Sequence, residues 1–188
     1  MTNQLNGCSV AILVTDGFEQ VEMTEPRKAL EQAGAKTTLV SPKDGQVQGW
    51  NHDNKGDVFK VDATLDSAGA KEFDALLLPG GVANPDKLRM TPKAVAFVES
   101  FVKEKKPIAA ICHGPWMLVE TKAVHGKTVT SWPSLKTDIV NAGGKWVDRE
   151  VVTDGNIVTS RKPDDIPAFN KQTIALFAES MKHAPAAR

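Results

Sequence analysis

The residues best equipped for covalent chemistry stand in one short run, PIAAICHGPWMLV, from Pro107 to Val119. Apolar and small residues lead straight into Cys112 and His113, and Gly114 and Pro115 then break the run. A strand, a sharp turn and a helix form a nucleophile elbow, which holds a side chain clear of the sheet edge in a strained backbone conformation. The serine form, G-x-S-x-G, is missing, so a cysteine takes that place. At a helix N-terminus the dipole and free N–H groups favour the thiolate, so the spacing predicts a depressed Cys112 pKa. The amide of His113 faces the same space and can serve as half an oxyanion hole. The plainer alternative is a buried, inert cysteine beside a helix-capping histidine, a description that suits Cys8.

Two further strand ends carry usable chemistry. In TDGFEQVE, Glu19 sits where a helix begins; its carboxyl either points over the sheet edge or complements the helix dipole. In LLLPGGVANPDKLR, paired glycines let the backbone approach a ligand and expose N–H groups. Neither G-x-G-x-x-G nor a Walker A lysine occurs, and no helix is expected to open directly on the glycines, which argues against a dinucleotide role. Asp86 follows on what reads as a loop stiffened by Pro79 and Pro85. Trp132 and Pro133, at the end of another strand, are candidates for a substrate-binding wall. Trp50 and His52 read as solvated loop residues, and His125 and His183 as a turn and a tail residue.

The elements that must position these residues alternate. SVAILV is a β-branched run without polar alternation, as in a strand buried on both faces. A helical spacing follows from Gln20 to Ala33, closed by Gly34. KTTLVSP, FDALLLPGG and PIAAI read as further strands; Lys43–Asp57 reads as a loop or small hairpin. Thr91-Pro92 opens a helix bearing Val95, Val98, Phe101 and Val102 on one face. KTVTSWP is a strand entering a loop, LKTDIVNAGG a short helix, and WVDREVVTDGNIVTS a hairpin turning at Asp154-Gly155. The last helix begins near Asp164-Asp165. This order predicts one domain over residues 1–188, a doubly wound three-layer α/β sandwich with a mostly parallel sheet and a small peripheral hairpin.

Composition narrows the function classes. The chain has 188 residues, 41% of them hydrophobic, with 23 basic and 23 acidic side chains. A formally neutral surface favours neither nucleic acid nor an anionic membrane. The start MTNQLNGCSVAILV lacks a secretory pattern, and two cysteines without metal-type spacing point to a cytoplasmic protein with reduced thiols. Neither cofactor nor metal is expected.

AICHGP, LLLPGG, DGFEQVE, TSWPSLKTDIVNAG and DREVVTDGNIVTSRKPDDIPAF together resemble the PfpI family. This is the intracellular-protease and general-stress-protein branch of the class I glutamine-amidotransferase-like superfamily. The resemblance runs from Ser9 to Phe177. It implies a flavodoxin-like sandwich that forms a homodimer or higher oligomer, with the site near the subunit interface. Carried over, Cys112 matches the nucleophile, His113 the adjacent histidine, and Glu19 the acid that hydrogen-bonds the cysteine. Gly81 and His113 match the oxyanion-hole amides, and Asp86 an acid supplied to the neighbouring subunit's histidine. The activities implied are peptidase, or glyoxalase and deglycase chemistry on methylglyoxal and its adducts. The alternative is a redox-sensing stress protein or chaperone that uses an oxidisable Cys112. Gly81→Val is expected to harm catalysis more than folding.

Overall fold

The computed structural model describes residues 3–183. Its strands are β1 (Ser9–Leu13), β2 (Phe18–Glu19), β3 (Lys36–Ser41), β4 (Gln46–Asn51), β5 (Asn54–Lys60) and β6 (Ala63–Thr64). They continue as β7 (Ala75–Leu78), β8 (Ile108–Ile111), β9 (Thr128–Val129), β10 (Lys145–Trp146), β11 (Val151–Asp154) and β12 (Ile157–Ser160). The α-helices are α1 (Gln20–Gln32), α2 (Ala83–Arg89), α3 (Pro92–Lys103), α4 (Trp116–Glu120), α5 (Lys136–Asn141) and α6 (Ile166–His183).

The apolar strand runs assemble into one sheet of order β11-β12-β8-β7-β1-β3-β6. Its pairings are parallel except at the β11–β12 hairpin, where Asp154 lies opposite Ile157. Both faces are covered, which is why the strands read as unbroken apolar runs. Val10 and Ile12 of β1 pack with Met23 and Leu30 of α1 and with Phe169 and Phe177 of α6. Ala11 and Leu13 point the other way, to Leu88, Phe97, Phe101 and Met117 on α2, α3 and α4. The result is a three-layer, flavodoxin-like α/β sandwich with helices on both sides.

Strand β1 pairs with β3 on one side and β7 on the other. The chain therefore reverses its winding beside β1, and the crevice beyond the carboxyl ends of such strands is where ligands bind. The segments that follow β1, β7 and β8 all end there. A second, three-stranded sheet of order β2-β4-β5 stands over the same edge, because Phe18 and Glu19 pair with Gly49 and Trp50.

Of the loop or small hairpin expected over residues 43–57, the structure has the hairpin, the antiparallel β4–β5 pair with a bulge between Gln48 and Trp50. A correction concerns Asp86. It lies within α2, which opens two residues after Gly81, not on a proline-stiffened loop. Pro85 is accommodated there because the first-turn N–H groups of a helix have no intrahelical acceptor to lose. Among the described residues, no helix is long and apolar enough to cross a membrane.

Candidate active site

Strand β8 ends at Ile111, and Cys112 takes φ 61°, in the left-handed region that a side chain rarely occupies. Such a conformation costs about 1–3 kcal/mol and persists only where the surroundings enforce it. Here two glycines make room. A Cβ at Gly114 would strike the Leu78 carbonyl oxygen, and one at Gly80 would come within 2.7 Å of the Cys112 Cβ. The turn is held by Cys112 N–H donating to Ser160 O at 3.0 Å and Trp132 N–H donating to Cys112 O at 2.9 Å.

The distorted elbow brings adjacent side chains together. Cys112 Sγ lies 3.2 Å from Nδ1 of His113. The imidazole sits between two indoles, with ring centroids 5.2 Å from Trp116 and 5.9 Å from Trp132, and its Nε2 is 3.4 Å from Ser134 Oγ. Burial lowers the His113 pKa to about 4, so the ring is neutral at pH 7 and free to accept a proton. The backbone N–H groups of Gly81 and His113 lie beside the Cys112 sulfur and favour its charged form. They are therefore placed to receive a negative charge that develops beside it.

The acid beside the cysteine is Glu22, and this corrects the expectation for Glu19. Glu22 is buried on α1; its Oε2 accepts the Gly80 N–H at 2.9 Å, and the carboxyl is the acid that acts on the Cys112 thiol. Glu19 is tied instead into the β2–β4 pairing, where its carboxylate accepts the His52 N–H at 3.1 Å and 3.4 Å. The available signal was the stripe that α1 buries, Glu22, Met23, Pro26 and Leu30, in which one acid interrupts apolar neighbours.

The thiol's acidity also departs from expectation. Burial, then the neighbouring Glu22, push the Cys112 pKa up, not down. The helix invoked to lower it, α4, has only five residues and starts at Trp116, too short and too distant to supply a strong dipole. Burial likewise raises Glu22, to about 8, so at pH 7 this carboxyl is mostly protonated. Cys8 is a different case: buried on the opposite end of β1, its thiol pushed up to about 12 by desolvation and then by Asp74. The two cysteines are free, not bridged.

A cavity of about 730 Å³ opens over the sulfur. Trp132 lines it and Pro133 does not; Pro133 opens a 3₁₀ turn, and Pro163 is the proline on the wall. Trp50 and His52, read from sequence as solvated loop residues, line the cavity because the β4–β5 pair folds over the sheet edge. Asp86 is exposed on α2 and does not line the cavity.

Gly81 contributes more than an amide. Its φ is 72°, and a Cβ would lie 2.5 Å from Gly17 O and 2.7 Å from Glu19 N. Gly81→Val is therefore expected to harm folding directly, where the sequence reading expected catalysis to suffer more. Left-handed strain and a backbone collision together should cost at least about 3 kcal/mol. Urea unfolding should place the variant's midpoint far below wild type; an unchanged midpoint would mean that the loop yields freely.

A cysteine in a left-handed turn over the carboxyl edge of a flavodoxin-like sheet defines a class of α/β proteins. Within it, the chain belongs to the DJ-1/PfpI family, whose profile matches residues 8–176. General stress protein 18 of Bacillus subtilis is 44% identical over 172 residues, covering 90% of this chain and 98% of that protein. Deglycase PH1704 of Pyrococcus horikoshii is 41% identical over 167 residues, covering 89% of this chain and 98% of that one. The solved structure of Drosophila melanogaster DJ-1beta is similar at a TM-score of 0.80 and 26% identity, covering 100% of both chains.

Proposed function

We propose that this protein is a cysteine-dependent enzyme that attacks carbonyl carbon, with glyoxalase or deglycase chemistry on methylglyoxal or its protein adducts. The observation that carries the reading is the Cys112 sulfur on the cavity floor, 3.2 Å from a neutral His113 and beside two backbone donors. In the first step sulfur bonds to the aldehyde carbon while His113 Nδ1 takes the thiol proton. The C=O pair moves onto oxygen, which faces the Gly81 and His113 amides, and the proton then returns to that oxygen. A hemithioacetal results with no leaving group to expel. Peptide cleavage, by contrast, must also protonate an amine, and among the described residues no carboxylate of this chain contacts the His113 ring to support that second role. The name of the 41% identical deglycase supports the same direction. The test is a panel of methylglyoxal, a methylglyoxal-treated peptide and an unmodified peptide, with lactate and released amine as readouts. Turnover confined to the unmodified peptide would overturn the assignment.

Asp86 enters this proposal as a residue of the neighbouring subunit's site. It is exposed on α2, and among the described residues of its own chain His113 has no acid partner. Sedimentation should therefore show a dimer or larger species, and Asp86→Asn should lower turnover without changing that mass. A fully active 20.3 kDa monomer would remove Asp86 from the site.

A further inference from the structure

The cavity around Cys112 is charged on one side only. Glu19, Glu22 and Asp53 line it, and no lysine or arginine does. None of the three joins an ion pair among the described residues. Glu19 accepts a backbone N–H of His52, and Oε1 of Glu22 is buried without a hydrogen-bond partner. The indoles of Trp50 and Trp132 stand on the walls, and such faces attract cations. Lys43, Lys55 and Lys87 line a separate depression beyond Trp50, where Lys43 and Lys87 are drawn onto Asp16. They leave Glu19 and Asp53 unneutralised.

We propose that Glu19 and Asp53 form a charge filter, so that neutral and cationic carbonyl compounds reach Cys112 and anionic ones, α-keto acids above all, are turned away. The proposal rests on the carbonyl-addition reading and defines its substrate class. An α-keto acid offers the same kind of electrophilic carbon as an α-oxoaldehyde, and a cavity of about 730 Å³ does not exclude it by size. Charge is the property that separates the two. A cleft lined by one sign of charge raises the local concentration of the opposite sign by about 10- to 1,000-fold. Adducts on a guanidinium keep its cation and are drawn in by the same field.

Access can be read without turnover. Two methanethiosulfonate reagents, one ending in trimethylammonium and one in sulfonate, each convert a thiol to a mixed disulfide and release methanesulfinate. The ratio of their labelling rates at Cys112, located by peptide mass and divided by the ratio on free cysteine, should be about 10 to 100. It should fall several-fold in Glu19→Gln/Asp53→Asn, whose Gln still accepts the His52 N–H, and should shrink at high salt. Asp53→Lys, an exposed change that leaves Glu19 in place, should lower it further and keeps the test open if the double variant fails to fold. A normalised ratio near one in wild type, or one unchanged in a folded variant, overturns the filter. A high ratio in a protein that turns over no carbonyl substrate leaves the filter standing and overturns the activity proposed above.

Discussion

Cys112→Ala is expected to lower methylglyoxal turnover by at least about 10⁴-fold, to a residue supplied by binding and the backbone donors alone. The size follows from what is removed. Sulfur forms the covalent bond that splits the reaction into two easier steps, and no neighbour can replace it. His113 is a base without a proton to take, and Glu22 is buried behind the sulfur and mostly protonated at pH 7. Folding should change little, because alanine is smaller and the elbow is set by Gly80 and Gly114. Steady-state lactate formation checks the rate, and circular dichroism checks the fold. A folded Cys112→Ala variant that keeps more than about one hundredth of wild-type turnover would place the chemistry elsewhere.

The elbow itself was legible in the sequence because its signal is local: an apolar run, a cysteine, and a glycine that only a tight turn requires. The central strands were legible for the same reason, since burial on both faces leaves no polar alternation to confuse. What escaped depends on contacts across the chain. Whether Glu19 or Glu22 meets the thiol is decided by the pairing of β2 with β4, over thirty positions away, which turns Glu19 toward His52. Trp50 and His52 were taken for solvated residues because polarity alone does not reveal that their hairpin closes over the sheet edge. The depressed thiol pKa was inferred from a helix terminus, and the burial that outweighs it is a property of the packed structure.

Glu22→Gln should change how stability depends on pH. The Glu22 pKa is raised in the folded state, to about 8 from the ordinary 4.5, chiefly by burial. A raised carboxyl pKa means that the folded state binds the proton more tightly than the unfolded chain does. Stability from this group is then full below pH 4.5 and is lost as pH rises through 8. The difference amounts to roughly 5 kcal/mol at most, at 1.36 kcal/mol per pKa unit. His113 acts in the opposite direction: its pKa is lowered to about 4, so its contribution is present above pH 6.5 and lost toward pH 4. The two slopes offset each other between pH 4.5 and 6.5, and above that only the Glu22 loss remains. Wild type should therefore have its urea midpoint highest near pH 5 to 6 and falling toward pH 8. In Glu22→Gln the amide carries no charge at any pH, its oxygen can still accept the Gly80 N–H, and the fall above pH 6.5 should disappear. The variant would then be the more stable protein at pH 8 to 9. Midpoints that decline in parallel for both proteins would show that Glu22 is already ionised at neutral pH, and that the cysteine, not the carboxyl, holds the shared proton.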